Sequence, residues 1–250
     1  MPHESLGYYL DRIICADALT FTKELPDRCI DLILTDPPYG DNLRYGKENL
    51  TIRGDEHPLL ALSVMAQSYR LLKMNRTAYM FCSLRNFGFI RSFFDSYTPY
   101  KFKELIIWDK LVQGFGRDFR RQYECILALE KGKPMYRYPG MANLLRFLRV
   151  RAARHPHEKP VALLKTLIGQ SSDAEDVVFD PFLGAGSTAV AAQESGRHFI
   201  GVEIESRYCR IAQERLQEAA AGSPVARLIQ SKRIHHRIKI SLSANAASRS

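Results

Sequence analysis

The chain has 250 residues, 46% hydrophobic and 25% charged, enough for one α/β domain with a substantial core and unlike a disordered or fibrous protein. No stretch approaches about 18 uncharged apolar residues, the N-terminus lacks a basic region followed by an apolar run, and five scattered cysteines form no C-x-x-C pair. A reduced, cytoplasmic protein with neither a membrane span nor a secretory leader is therefore expected. The net charge of +9 is concentrated, with seven Lys/Arg and no acid in residues 131–154, six and no acid in residues 222–250, and 23 basic against 27 acidic residues elsewhere.

In chain order, Arg12–Ala16 reads as a short buried strand and Asp17–Leu25 as a short helix or turn. Ile30–Thr35 is an apolar strand that must leave the sheet at Asp36-Pro37-Pro38, because two prolines cannot continue a central ladder. Residues 41–56 are polar and read as a long loop. Pro58–Leu72 carries apolar residues at helical spacing, Ala78–Cys82 is a strand, and Phe87–Phe94 is a helix. Leu105–Trp108 and Cys125–Leu129 are two further strands, joined by a turn rich in Gly and Arg. Val161–Ile168 is helical, Val177–Asp180 a strand, Thr188–Ser195 a helix, Phe199–Glu203 a strand and Arg207–Ala220 a helix. Strands alternating with helices predict a mostly parallel seven-stranded sheet with helices on both faces, spanning residues 1–221 and followed by a basic tail, 222–250.

Two motifs carry chemistry. In the first, an apolar strand ends at Asp180, and a tight loop with Gly184 and Gly186 leads through Ser187 and Thr188 into a helix. The next strand ends at Glu203, 17 residues after Gly186, where an acid can accept hydrogen bonds from two ribose hydroxyls. The unit suits an adenosine-containing cofactor. A nicotinamide site is the alternative, but Asp180 at the strand end repels pyrophosphate and suits a cationic ligand such as S-adenosylmethionine. The second motif is Asp36-Pro37-Pro38-Tyr39. The exocyclic amine of a base is a poor nucleophile because its lone pair is delocalised into the ring. A carboxylate from Asp36 and a neighbouring carbonyl from Pro37, held rigid by Pro37-Pro38, can accept from its N–H groups and stabilise the positive charge that develops on nitrogen. Tyr39 offers a flat face for a base removed from the duplex. The plainer reading of this tetrapeptide is a strand-ending turn with a capping Asp.

Together the two motifs resemble the amino-methyltransferases of DNA, which act on N6 of adenine or N4 of cytosine. Their hallmark tetrapeptide is matched by Asp36–Tyr39 and their cofactor loop by Asp180–Thr188. The order, tetrapeptide first and cofactor loop late, resembles the β subgroup, in which a target-recognition segment lies between the two. Ile107–Lys110 and Tyr123–Leu127 resemble further strand segments of that subgroup. The resemblance implies S-adenosylmethionine as cofactor, with Asp17 at its adenine, Asp180, Phe182, Gly184, Gly186, Ser187, Thr188 and Glu203 around it, and Lys159 of the His155-Pro-His-Glu-Lys-Pro160 segment at its methionine end. No metal is implied, and His155 and His157 read as capping residues rather than ligands. The basic segment 131–154 becomes a short recognition segment, with Lys131, Lys133, Arg137, Arg146, Arg149, Arg151 and Arg154 on the phosphates of double-stranded DNA. A solvated helix and tail would explain the same charges, and Arg117, Arg120 and Arg121 could lie in a solvated turn or touch phosphates. Asp in the first tetrapeptide position favours adenine. N4-cytosine, an RNA or protein amide, and a non-catalytic DNA-binding module remain alternatives, and a homodimer is compatible. The chain departs from the family pattern in having Gly40 after the tetrapeptide, which would loosen the following loop, and no Gly-Gly before Ala78.

Overall fold

The computed structural model describes residues 6–41, 44–45, 50–51, 55–114, 119–150 and 158–222. Arg117, Arg151, Arg154, His155, His157 and the basic tail beyond residue 222 lie outside the described residues.

A 3-10 turn, Leu6–Tyr8, precedes strand β1 (Arg12–Cys15), helix α1 (Ala18–Phe21) and strand β2 (Ile30–Thr35). Within the expected loop, β3 (Arg44–Tyr45) and β4 (Leu50–Thr51) form a small antiparallel pair. There follow α2 (Leu59–Ser68), β5 (Leu72–Cys82), α3 (Leu84–Tyr97), β6 (Lys101–Asp109), β7 (Tyr123–Lys131), β8 (Leu144–Arg146), α4 (Val161–Ser171), β9 (Val177–Asp180), α5 (Ser187–Glu194), β10 (His198–Glu203) and α6 (Ser206–Gly222).

The main sheet has the order β1-β10-β9-β2-β5-β7-β6-β8. It is parallel except at β7, which is antiparallel to both neighbours. All seven expected strands are present, but the sheet has eight. The addition is β8, three residues parallel to the end of β6, with only Leu145 turned inward. β5 also starts six residues earlier than expected. Its register against β2 shifts between Ile30 and Leu32, and Asn75 takes a left-handed conformation (φ 59°). Asn tolerates that region through its short polar side chain, so no glycine is needed before Ala78.

Both faces of the sheet are covered, and the strands alternate between two cores. Ile33, Ala78, Met80, Leu127 and Phe179 pack beneath α1, α2 and α3. Leu32, Leu34, Tyr79, Phe81, Ile126 and Val178 pack beneath α4, α5 and α6. This explains why the central strands read as continuous apolar runs. The chain winds one way from β2 to β5 through α2 and the other way from β9 to β10 through α5. The adjacent strands β2 and β9 are therefore the topological switch point, where a crevice opens beyond the carboxyl ends of the strands.

Candidate active site

A cavity of about 620 Å³ occupies that crevice, bordered by the residues that end β1, β2, β9 and β10: Asp17, Asp36, Asp180 and Glu203. The two central strand ends are tied together, since the Thr35 hydroxyl donates to Asp180 Oδ1 at 2.7 Å. Asp180 is buried and also accepts from the Phe182 backbone N–H at 3.0 Å. Burial, opposed by hydrogen bonds from Thr188 and Thr35, pushes its carboxyl up to about 6. A buried carboxylate of this kind gains from a cationic ligand.

Gly186 precedes α5 with φ 84°, and a Cβ there would lie 2.7 Å from the Cβ of Ala212 on α6. The loop thus rests directly on α6, which only glycine allows. Glu203 Oε2 accepts from the Gly184 N–H at 2.8 Å and Oε1 from the Glu205 N–H at 2.7 Å. Desolvation raises its carboxyl above the ordinary range. Asp17 caps α1 by accepting from the Thr20 N–H at 2.8 Å while facing the cavity. Phe182, Leu183, Ser187 and Thr188 complete this half. Three carboxylates and an apolar wall suit a cationic nucleoside bearing free hydroxyls far better than a pyrophosphate.

The other half surrounds Asp36. Its Oδ1 accepts from the Tyr39 hydroxyl at 2.6 Å, and its Oδ2 is ion-paired with the Lys159 ammonium. Lys159 also pairs with Glu124 Oε2 at 3.3 Å, and the Tyr39 hydroxyl lies 3.0 Å from the same oxygen. Lys110 contacts Glu124 Oε1 at 3.3 Å from the outer side. Lys159 is 4% exposed, Asp36 19% and Glu124 20%. Desolvation opposes the Glu124 charge, but Lys159 and Lys110 prevail and hold its carboxyl at about 2. Burial and the two carboxylates hold the Tyr39 hydroxyl well above its usual value, so it stays protonated. Burial opposes the charge of Lys159, yet Asp36 and Glu124 hold its ammonium above the ordinary lysine value.

Every expected cofactor and tetrapeptide residue except Gly186 borders this one cavity, and Gly186 supports it from below. Lys159 borders it too, with its ammonium paired to Asp36 and Glu124. Tyr39 keeps its ring half-buried beside the cavity, with its hydroxyl committed to the two carboxylates. Gly40 itself is tightly held: it takes φ 72°, and a Cβ there would lie 2.3 Å from Pro58 Cδ; most of the loop that follows lies outside the described residues. Its N–H is held by buried Asp55 at 2.9 Å.

The basic segment divides. Lys131 pairs with Arg76 at the far end of the sheet and is buried, its ammonium donating to the Tyr69 and Leu72 carbonyls at 2.7 Å. From Cys125, level with the site, to Lys131 is six residues of strand, about 20 Å. Lys133 lies just beyond it, bonded through its N–H to Asn75, and Arg137 pairs with Asp173 below α4. These three are turned away from the cavity, because β7 runs opposite to the other strands. Arg146 returns to the carboxyl rim, opposite Asp109 in register, and Arg149 is exposed just after it.

Three contributors escaped the sequence reading as site residues. Glu124 is the second residue of an otherwise apolar strand start, an unusual place for an acid. Arg215 of α6 donates to the Ala185 carbonyl at 2.7 Å and Ser187 Oγ at 3.1 Å, and pairs with Glu158 at 2.9 Å. In sequence, Arg215 and Glu158 look like surface charges.

A doubly wound, mostly parallel sheet with helices on both faces and a cavity at its switch point is the fold of an S-adenosylmethionine-dependent methyltransferase. The structure of the M1.HpyAVI–SAM complex is similar, with 28% identity and a TM-score of 0.64 over 82% of this chain and 99% of that one. The chain belongs to the DNA methylase family of N6 and N4 amino-methyltransferases, whose profile matches residues 30–146 and 136–214. It is 31% identical over 252 residues to the DNA adenine methyltransferase YhdJ of Escherichia coli, covering 83% of each chain. The cytosine-N4-specific PvuII DNA methyltransferase shares the fold at 16% identity, with a TM-score of 0.66 over 83% of this chain and 90% of that one. The protein is thus a DNA methyltransferase that uses S-adenosylmethionine. Among the described residues no helix is long and apolar enough to cross a membrane.

Proposed function

We propose that the protein methylates N6 of adenine in double-stranded DNA. The observation that carries this reading is that Asp36 and Asp180, ending adjacent strands and linked through Thr35, open onto one cavity, so a base amine at Asp36 meets whatever Asp180 and the glycine loop hold. Asp180 and Glu203 serve the cationic and ribose parts of the cofactor, with Asp17, Phe182, Gly184, Gly186, Ser187 and Thr188 shaping its bed. When bound, S-adenosylmethionine supplies a methyl group already activated on a sulfonium, so no metal is required.

Asp36 accepts from one N–H of the target amine through the lone pairs its two present partners leave unused, and the Pro37 carbonyl accepts from the other. Both favour the charge that grows on nitrogen during transfer. The Tyr39 ring, its hydroxyl anchored, stacks on the flipped base. The duplex follows the carboxyl rim, where Arg146 and Arg149 join Arg120 and Arg121 of the β6–β7 connection. Lys131, Lys133 and Arg137, toward the opposite end of the sheet, take no part in this reading. Asp at the head of the tetrapeptide and the likeness to an adenine methyltransferase favour adenine over cytosine. Asp36→Ala should abolish methyl transfer to DNA while leaving cofactor affinity within about threefold of wild type. A variant that still turns over would overturn the assignment.

A further inference from the structure

Resting on the reading that Asp36 is the acceptor for the target amine, we propose that Glu124 is a positioning residue that balances Lys159. It shares the buried ammonium with Asp36, so that a net negative charge remains where the amine becomes cationic.

The geometry states the problem that Glu124 solves. Asp36 alone with Lys159 is a neutral ion pair, and a buried ammonium beside the reacting nitrogen would oppose the positive charge that transfer creates there. Glu124 Oε2 lies 3.3 Å from the same ammonium, making a carboxylate–ammonium–carboxylate group that carries one net negative charge. The Tyr39 hydroxyl donates its one proton to Asp36 at 2.6 Å with Glu124 at 3.0 Å as the alternative acceptor, which holds its ring beside the pair. Lys110 holds the other oxygen of Glu124 at 3.3 Å; it pairs with Glu124 rather than with Asp36, so it lies farther from the reacting nitrogen than Lys159 and offsets the charge there less. Glu124 is placed by the sheet itself. It is the second residue of β7, opposite Trp108 on β6 and one step before Cys125, which faces Cys82 at the end of β5. The antiparallel entry of β7 puts its first residues, rather than its last, at the carboxyl rim.

The test measures single-turnover methyl transfer to unmethylated DNA at saturating cofactor in the full-length protein. Cofactor affinity serves as the check on folding. Glu124→Gln keeps the shape and removes the charge, and should slow transfer about a hundredfold with little change in cofactor affinity. Adding Lys159→Met to Glu124→Gln removes the unbalanced ammonium and should recover about tenfold of that loss. A merely structural Glu124 predicts the opposite, a double variant slower than the single one. A double variant no faster than Glu124→Gln, or wild-type transfer in Glu124→Gln, overturns the proposal. Should Glu124→Gln not fold, Lys159→Met alone decides. Two carboxylates without their shared cation must titrate higher, so the acid limb of the pH–rate profile moves upward, and an unmoved limb overturns the proposal. Asp36→Asn, run alongside, separates the two readings. Loss of transfer there is required by the site assignment, and wild-type transfer would refute that assignment whatever Glu124 does.

Discussion

Replacing Asp180 by Asn should stabilise the ligand-free protein while weakening its hold on the cofactor. Asp180 is 3% exposed, and burial raises its carboxyl to about 6, against about 3.9 in an unfolded chain. A carboxyl whose folded value lies above its unfolded value binds its proton more tightly in the folded state. Its ionisation therefore erodes stability as pH rises from about 4 to about 6, and the penalty is complete above that. A rise from about 4 to about 6 corresponds to about 3 kcal/mol as an upper bound. Asn keeps an oxygen for the Thr35 hydroxyl and the Phe182 N–H, at 2.7 and 3.0 Å, removes the charge, and puts an amide N–H where Thr188 now donates, so that the Thr188 hydroxyl must turn to accept. In urea denaturation without cofactor, the variant should exceed wild type by about 1–3 kcal/mol at pH 8, and the advantage should shrink toward zero near pH 4. Calorimetric titration at pH 8 should show cofactor binding weakened at least about tenfold, since a charge-assisted partner of the cation is lost. An Asp180→Asn protein no more stable at pH 8 than wild type, or one binding the cofactor equally well, would refute the reasoning.

Other outcomes follow from the same geometry. Arg215→Ala removes the 2.9 Å ion pair with Glu158 and the hydrogen bond to the Ala185 carbonyl, so it should lower stability by about 1–3 kcal/mol and raise the cofactor Kd, checked by thermal denaturation with and without cofactor. Gly40→Ala forces a Cβ to 2.3 Å from Pro58 in a left-handed turn, which should cost at least about 2 kcal/mol and lower transfer to DNA, whereas a neutral substitution would contradict the turn described here. In DNA-binding titrations against salt, Arg146→Ala with Arg149→Ala should reduce the logarithmic slope by about two, while Lys133→Ala should leave it unchanged. Equal effects from both would place DNA elsewhere on the surface.

The parts legible in the sequence are those where local chemistry and tertiary position coincide. The strand ending in Asp36-Pro-Pro stops where proline forces it to stop, and the strand ending at Asp180 stops at its glycine loop. Both therefore mark the carboxyl rim without any knowledge of topology. The basic segment misled because charge along the chain carries no direction. Lys131 reads as a phosphate contact until the antiparallel course of β7 carries it to the opposite end and beneath Tyr69. β8 has three residues and one inward side chain, too little for an alternating signal. Lys159 and Glu124 lie 35 residues apart and meet only because β7 and the segment before α4 end at the same rim, a contact no local pattern encodes. Of the cysteines expected to be buried, Cys29, Cys82 and Cys125 are, while Cys15 is exposed at the end of β1.

The central claim is tested most directly by incubating the protein with labelled S-adenosylmethionine and unmethylated double-stranded DNA, digesting the DNA to nucleosides and separating them by mass. The proposed chemistry requires the label in N6-methyladenine and its disappearance with Asp36→Ala. Label in N4-methylcytosine would contradict the choice of base, and label persisting in the Asp36→Ala variant would contradict the site itself.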